Sequence, residues 1–129
     1  MAEPIEMILL RQWASYLSLP VWLMDADGSL VYYNEAAEPI LGRQFEESGP
    51  ISVAEIADIL PSRDDTGREL DSAELPVAIA LADQRPAHSR VSFRAFDGEI
   101  RLIEITAFPI VGQAGGLLGA VAMFWEIAP

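Results

Sequence analysis

The chain holds few side chains with the chemistry of nucleophiles, proton carriers or metal ligands. His88 is its single imidazole and cysteine is absent. Thiolate catalysis, disulfides and zinc–thiolate sites are therefore excluded, and any triad, haem or metal site would rest on His88 alone. In a strand running from His88 to Arg94, His88 has the parity of Arg90 and Ser92 and belongs with them on the solvent side. Asp64, Asp65, Glu69 and Asp71 supply carboxylates for acid–base work, but nothing apolar surrounds them in the sequence to raise a pKa, so they read as a solvated loop. Asp25-Ala26-Asp27-Gly28 begins like a calcium loop. Leu30 and Ala36 stand where such a loop needs glycine at its sixth position and glutamate at its twelfth, so a chain turn is expected instead. No glycine-rich loop followed by lysine occurs. This inventory contains no catalytic centre and no metal site.

The elements that would position any site must fit one domain, because 129 residues enclose a single core. Half the residues are apolar (51%), too many for a disordered chain. Twenty acidic residues against eight basic ones give a formal charge of −12, which repels nucleic-acid phosphates and anionic membrane surfaces. The apolar runs are too short or too charged to span a bilayer, and the start Met1-Ala2-Glu3-Pro4-Ile5-Glu6 lacks the pattern of a secretory signal. With no cysteine, these features fit a cytoplasmic protein. No internal repeat or low-complexity tract is evident.

Ile5, Ile8, Leu9, Trp13, Tyr16 and Leu17 recur at helical spacing, with Met7, Leu10 and Ala14 widening the stripe, so residues 1–18 read as an amphipathic helical segment with a broad apolar face. Pro20 breaks the chain. Val21 to Met24 and Ser29 to Asn34 flank the Asp/Gly turn as a hairpin. Asn34 caps a helix of about two turns that Gly42 ends. Residues 43–75 are polar, with a short helix at Val53 to Leu60, and Pro76 opens a further helix that stops near Asp83. Three antiparallel strands follow: His88 to Arg94, Glu99 to Pro109, and Leu117 to Ile127. In the last of these Leu118, Ala120, Ala122 and Phe124 share one face, and Leu117, Val121, Met123 and Trp125 the other. All are apolar, so this strand must be covered on both sides at the centre of the sheet. The middle helices cover one face, and the N-terminal helix, a second copy, or both must cover the other.

The segments Leu19-Pro20-Val21-Trp22-Leu23-Met24-Asp25-Ala26-Asp27-Gly28 and Tyr32-Tyr33-Asn34-Glu35-Ala36-Ala37 resemble the opening of a PAS domain. Glu74 to Leu81 looks like the helix before the PAS three-strand unit. Asp97-Gly98, Thr106-Ala107-Phe108-Pro109-Ile110 and Gly119 to Ile127 look like its closing strands. The resemblance covers roughly residues 19–127 and places a PAS-like domain at 19–129. It implies an α+β fold with a five-stranded antiparallel sheet, short helices on one face and an N-terminal amphipathic helix. It also implies sensing of small ligands, light or redox state, or protein docking, often as a dimer through that helix. Many relatives continue through an Asp-Ile-Thr link into a coiled coil and an effector, whereas this sequence ends Glu126-Ile127-Ala128-Pro129. Both a standalone domain and an input domain of a larger regulator with a downstream effector are compatible with that ending.

Tyr32, Asn34, Ile79, Val91, Phe93, Ile103, Ile105 and Phe124 are the expected lining of a ligand space between sheet and helices; Asn34 also has the simpler reading of a helix cap. Ile5, Ile8, Leu9, Trp13, Tyr16, Leu17, Trp22, Tyr33, Leu102 and Trp125 are the expected contacts of a homodimer. No cofactor is indicated, an unidentified small molecule fits the ligand space, and neither nucleic acid nor membrane is expected as a partner. One alternative is a docking or dimerisation module with a filled core, and another is a haem- or flavin-bearing sensor. The flavin photosensors of the family carry a reactive cysteine that this chain lacks.

Overall fold

The apolar sequence Val21-Trp22-Leu23-Met24 forms strand β1 (Val21–Asp25), and β2 (Ser29–Tyr33) returns beside it. The turn closes because the Asp25 carboxylate accepts the backbone N–H groups of Asp27 and Ser29. A computed structural model of the chain describes residues 4–45 and 51–127. The outermost residues of the expected N-terminal segment and C-terminal ending, and 46–50 within the expected polar stretch, lie outside the described residues.

Helix α1 (Ile5–Ser15) precedes β1. After β2, a 3₁₀ turn (Glu35–Ala37) leads into α2 (Glu38–Leu41), which Gly42 ends in the left-handed conformation at φ 84°. A Cβ there would also press on Asp97, so only glycine fits. Next come β3 (Ile51–Ser52), α3 (Val53–Ile59) and β4 (Ser62–Arg63). Helix α3 starts with a capping box in which Ser52 and Glu55 satisfy each other's backbone donors. Helix α4 (Pro76–Asp83) has proline in its first turn, followed by β5 (Ala87–Arg94), β6 (Ile100–Val111) and β7 (Leu117–Glu126).

The strands form one antiparallel sheet in the order β3-β2-β1-β7-β6-β5-β4. The C-terminal strand lies at its centre, as its two apolar faces require. The sheet has seven strands where five are expected. The additional pair, β3 on β2 and β4 on β5, are two-residue strands on either side of α3. They satisfy backbone groups where the chain enters and leaves α3, and they are too short to show a period of two in sequence.

Each face carries its own core. On the inner face Trp22, Met24, Leu30, Tyr33, Val91, Phe93, Ile103, Ala120, Ala122 and Phe124 pack against α2, α3 and α4. On the outer face Met7 and Ala14 of α1 bury Val21, Leu23, Ile110 and Val121, with Leu10 and Leu17 packed alongside. Val21, Leu23 and Val121 are wholly buried there, each contributing on the order of 1.5–3 kcal/mol.

A bulge sets which residues of β2 join which core. Leu23 pairs with Tyr32 while Met24 pairs with Leu30, so Val31 is an extra residue. Leu30 faces inward, Val31 and Tyr32 both face outward, and Tyr33 faces inward. A second irregularity, where Ile110 pairs with Gly119 and Val111 with Leu117, sends Leu118 to the outer core instead of the inner row expected for it. The shorter extent of α1, ending at Ser15 instead of reaching Leu17, leaves Tyr16 as its C-cap.

Strands β1 and β7 approach so closely at Gly119 that a Cβ there would collide with the Met24 carbonyl oxygen. Gly119→Ala is expected to cost about 1–3 kcal/mol of unfolding free energy in urea titrations. Gly116→Ala, where nothing lies within 4 Å of the new methyl group, is expected to leave it unchanged. Equal stabilities for the two variants would refute the close approach.

Candidate functional site

The inner core leaves a cavity of about 80 Å³ between the sheet and the helices. Its sheet wall is Trp22 of β1, Val91 and Phe93 of β5, Ile103 and Ile105 of β6, and Ala122 and Phe124 of β7. The helical side contributes Leu41 at the end of α2, Ile56 and Leu60 of the α3 region, and Leu75, Pro76 and Val77 at the start of α4. Ser62 is the one polar residue in the lining, and its hydroxyl donates to the Leu60 carbonyl at 3.0 Å. The space therefore offers an entering molecule contact surface and little else.

Five of the eight residues expected to line this space do so: Val91, Phe93, Ile103, Ile105 and Phe124. Tyr32, Asn34 and Ile79 do not. The bulge at Val31 turns Tyr32 to the outer core. Asn34 is spent on backbone groups, as its capping reading implies. In α4, Val77 and Ala80 occupy the buried helical stripe, and Ile79 lies off it, only partly covered.

Two expected interface residues also face inward: the bulge turns Tyr33 there, and Trp22, on the unbulged β1, shares the inner face with Met24. Trp22 and Tyr33 pair across β1 and β2 and stack in the inner core, ring centroids 5.9 Å apart and planes inclined by 16°. Trp22 walls the cavity, and its indole N–H points at Met24 Sδ at 2.8 Å. The Tyr33 hydroxyl donates to the Arg43 carbonyl at 2.7 Å. Leu17 packs on the outer core. The other seven expected contacts, Ile5, Ile8, Leu9, Trp13, Tyr16, Leu102 and Trp125, are exposed. Trp22's place in the wall was legible from its parity with Met24, whereas Leu41, Ile56 and Leu60 come from the middle segment, where no strand period points to the cavity.

The β5–β6 turn is latched to the end of α2. Phe96 N–H donates to the Leu41 carbonyl at 2.8 Å, and the Arg43 guanidinium lies 4.2 Å from the Phe96 ring centroid. Asp97 and Arg101 form two parallel hydrogen bonds of 3.1 and 3.0 Å. The hydrogen bond from Arg101, helped by the Glu99 N–H, holds the Asp97 carboxyl below the usual aspartate range.

The remaining candidates lie outside the cavity. His88 is exposed, its Nε2 3.9 Å from Glu104 Oε2, and Arg90 bonds the same carboxylate at 2.9 Å. In the 64–74 segment, the Thr66 hydroxyl and backbone N–H groups hold Asp64 below the usual range, and Arg68 does the same for Glu74 at 2.7 Å. A polar groove of about 300 Å³ lies beside β4, but its Arg63 is already engaged by the Gly67 carbonyl and Glu69. Among the described residues no three His, Asp or Glu side chains gather as metal ligands, and no helix is long and apolar enough to cross a membrane.

An antiparallel sheet with a central C-terminal strand, short helices enclosing a cavity on one face, and a helix on the other define a single-sheet α+β architecture covered on both sides. The PAS fold family matches residues 11–127, and the chain belongs to it. Members of this family are generally sensory or regulatory domains. Among solved structures, the chain is similar to a PAS domain from Colwellia psychrerythraea at 19% identity and TM-score 0.67, covering 95% of this chain and 97% of that one. It is similar to the PAS domain of nitrogen regulation protein NR(II) from Vibrio parahaemolyticus at 19% identity and TM-score 0.65, covering 92% and 98%. A LOV protein from Rhodobacter sphaeroides superposes with TM-score 0.74 at 13% identity, covering 97% of this chain and 69% of that one. No curated protein sequence matches the chain.

The lowered Asp97 pKa fixes a sign for the turn's pH dependence. The ion pair's contribution is complete above the ordinary aspartate pKa and is lost as pH falls through the lowered folded value. In a carboxyl-resolved NMR titration, Asp97 is expected to protonate below the ordinary aspartate range, and Arg101→Gln to move its midpoint upward. An unchanged midpoint in that variant would contradict the pairing.

Proposed function

We propose that the chain is a sensory module whose inner cavity takes a small, uncharged, apolar molecule and whose outer surface joins two copies, passing the state of the cavity to a downstream effector. The observation that carries the ligand class is the lining: its one polar side chain, Ser62, already donates its hydroxyl proton to Leu60. A charged or strongly hydrogen-bonding ligand would lose its water there without replacement. The volume, about 80 Å³, is roughly half that of the ~150 Å³ apolar cavities that accept benzene. The lining contains neither histidine nor cysteine, and its size does not fit a haem or a flavin.

The homodimer reading rests on the exposed face of α1. Ile5, Leu9, Trp13 and Tyr16 recur along the side turned away from the sheet, with Ile5 66% and Trp13 45% exposed. Leu102 and Trp125 lie on sheet surface that α1 leaves open. A second copy covers both patches with one kind of surface, as a two-fold interface requires. Each copy carries −12, so association should strengthen as salt rises from about 0.01 to about 0.15 M and the screening length falls from ~30 to ~8 Å.

Pressurised xenon is the direct probe of the cavity. Methyl resonances of Val91, Ile103, Ile105 and Leu41 are expected to shift and saturate with xenon pressure, while those of Ile5 and Ile8 do not. Uniform, non-saturating shifts would mean a closed or filled interior and favour the docking-module reading. In light scattering the chain is expected to be a dimer, and Leu9→Glu with Trp13→Glu to give a folded monomer. A monomeric unsubstituted chain at both salt concentrations would refute the interface.

A further inference from the structure

Asn34 is completely buried, and its carboxamide joins elements on opposite faces of the sheet. Its Oδ1 accepts the N–H groups of Val21 at 3.0 Å and Ala37 at 3.2 Å, and its Nδ2 donates to the carbonyls of Ala14 and Leu19, both at 2.9 Å. The partners fix the orientation of the amide, since backbone N–H groups can face only its oxygen and carbonyls only its nitrogen. Ala37 belongs to the first turn of the inner helical segment, where its N–H is shared between the Asn34 backbone carbonyl at 3.0 Å and the Asn34 side chain. Ala14 belongs to the last turn of α1, where its carbonyl accepts the Leu17 N–H at 3.1 Å and takes the Asn34 amide as a second donor. One side chain thus caps the start of the inner segment and the end of the outer helix.

The inner segment runs directly into α2, whose last residue, Leu41, lines the cavity. We infer that Asn34 couples the seating of α2 to the docking of α1, so that loosening the inner helix raises the opening of the outer one. No other side chain type makes all four bonds at this length. Aspartate keeps the acceptor side but presents a carboxylate to two carbonyl oxygens. Serine can cap Ala37 but is too short to reach across to α1 as well. The coupling gives the cavity a route to the apolar surface of α1. That use of it rests on the sensing role proposed above, and the coupling itself does not.

The test is a double-mutant cycle read by hydrogen exchange on the whole chain, comparing the unsubstituted protein, Leu41→Ala, Asn34→Asp and the double variant. Exchange in α1 is expressed relative to that of β7, which reports global opening. Leu41→Ala alone is expected to speed exchange in the second half of α1 on the order of tenfold, the size of coupling found between interacting sites. With Asn34→Asp, α1 is expected to exchange fast already, and adding Leu41→Ala should leave its rate unchanged while still loosening α2. An α1 indifferent to Leu41→Ala, or an equal increment in both backgrounds, would overturn the inference. Should Asn34→Asp fail to fold, Asn34→Ser carries the same cycle with the Ala37 cap kept. Because no ligand enters the experiment, its failure is distinct from a cavity that takes no xenon.

Discussion

Strand β7 is apolar on both faces, and over residues 119–122 it is buried on both, with Trp125 exposed near its end. Placing it fourth of seven and covering it twice determines most of what surrounds it. Ala120, Ala122 and Phe124 draw α2, α3 and α4 onto one side, and Val121 draws α1 onto the other. The two cores differ in completeness. The outer one packs Met7 and Ala14 against β1 and β7, whereas the inner one leaves a small space with an almost wholly apolar lining. A cavity with so little polar lining has one readily available selectivity, for molecules that ask for no hydrogen bonds.

Two cores separated by a sheet remain independent unless something crosses between them. Asn34 does so at the end of β2, and Phe45 clasps the same strand, its ring edge-on to Tyr32 on the outer face and to Tyr33 on the inner. The bulge at Val31 decides which of the two tyrosines takes which face. The irregular stretch of the hairpin is therefore where the two layers meet, and bulges are common where a side chain must be re-aimed.

Sequence alone revealed the features that have local chemistry. The Asp25–Gly28 turn, the Asn34 cap, the Gly42 stop and the proline start of α4 are each written in residues whose backbone preferences act over three or four positions. The even and odd rows of β5 and β6 were equally legible, which is why Val91, Phe93, Ile103 and Ile105 were found for the cavity. Tyr32 and Tyr33 take the faces opposite to those expected because an inserted residue reverses parity and leaves no compositional mark, whereas Trp22 lies on the unbulged β1 and shares its inner face with Met24. Ile79 failed for a different reason: α4 is apolar nearly all round, so its period does not say which side is buried. The strands β3 and β4 were missed because pairing of two residues follows from tertiary position and not from propensity.

The absence of native cysteine allows the central claim to be tested position by position. Single cysteines at Ala120, Val121, Ala122 and Phe124 would report thiol labelling along β7, with Glu126 as the exposed reference. Covering on both faces predicts slow labelling at all four positions, even and odd alike, and fast labelling only at the reference. Fast labelling at Val121 with slow labelling at its even-numbered neighbours would show a strand wet on one side, and the two-core arrangement would fall with it.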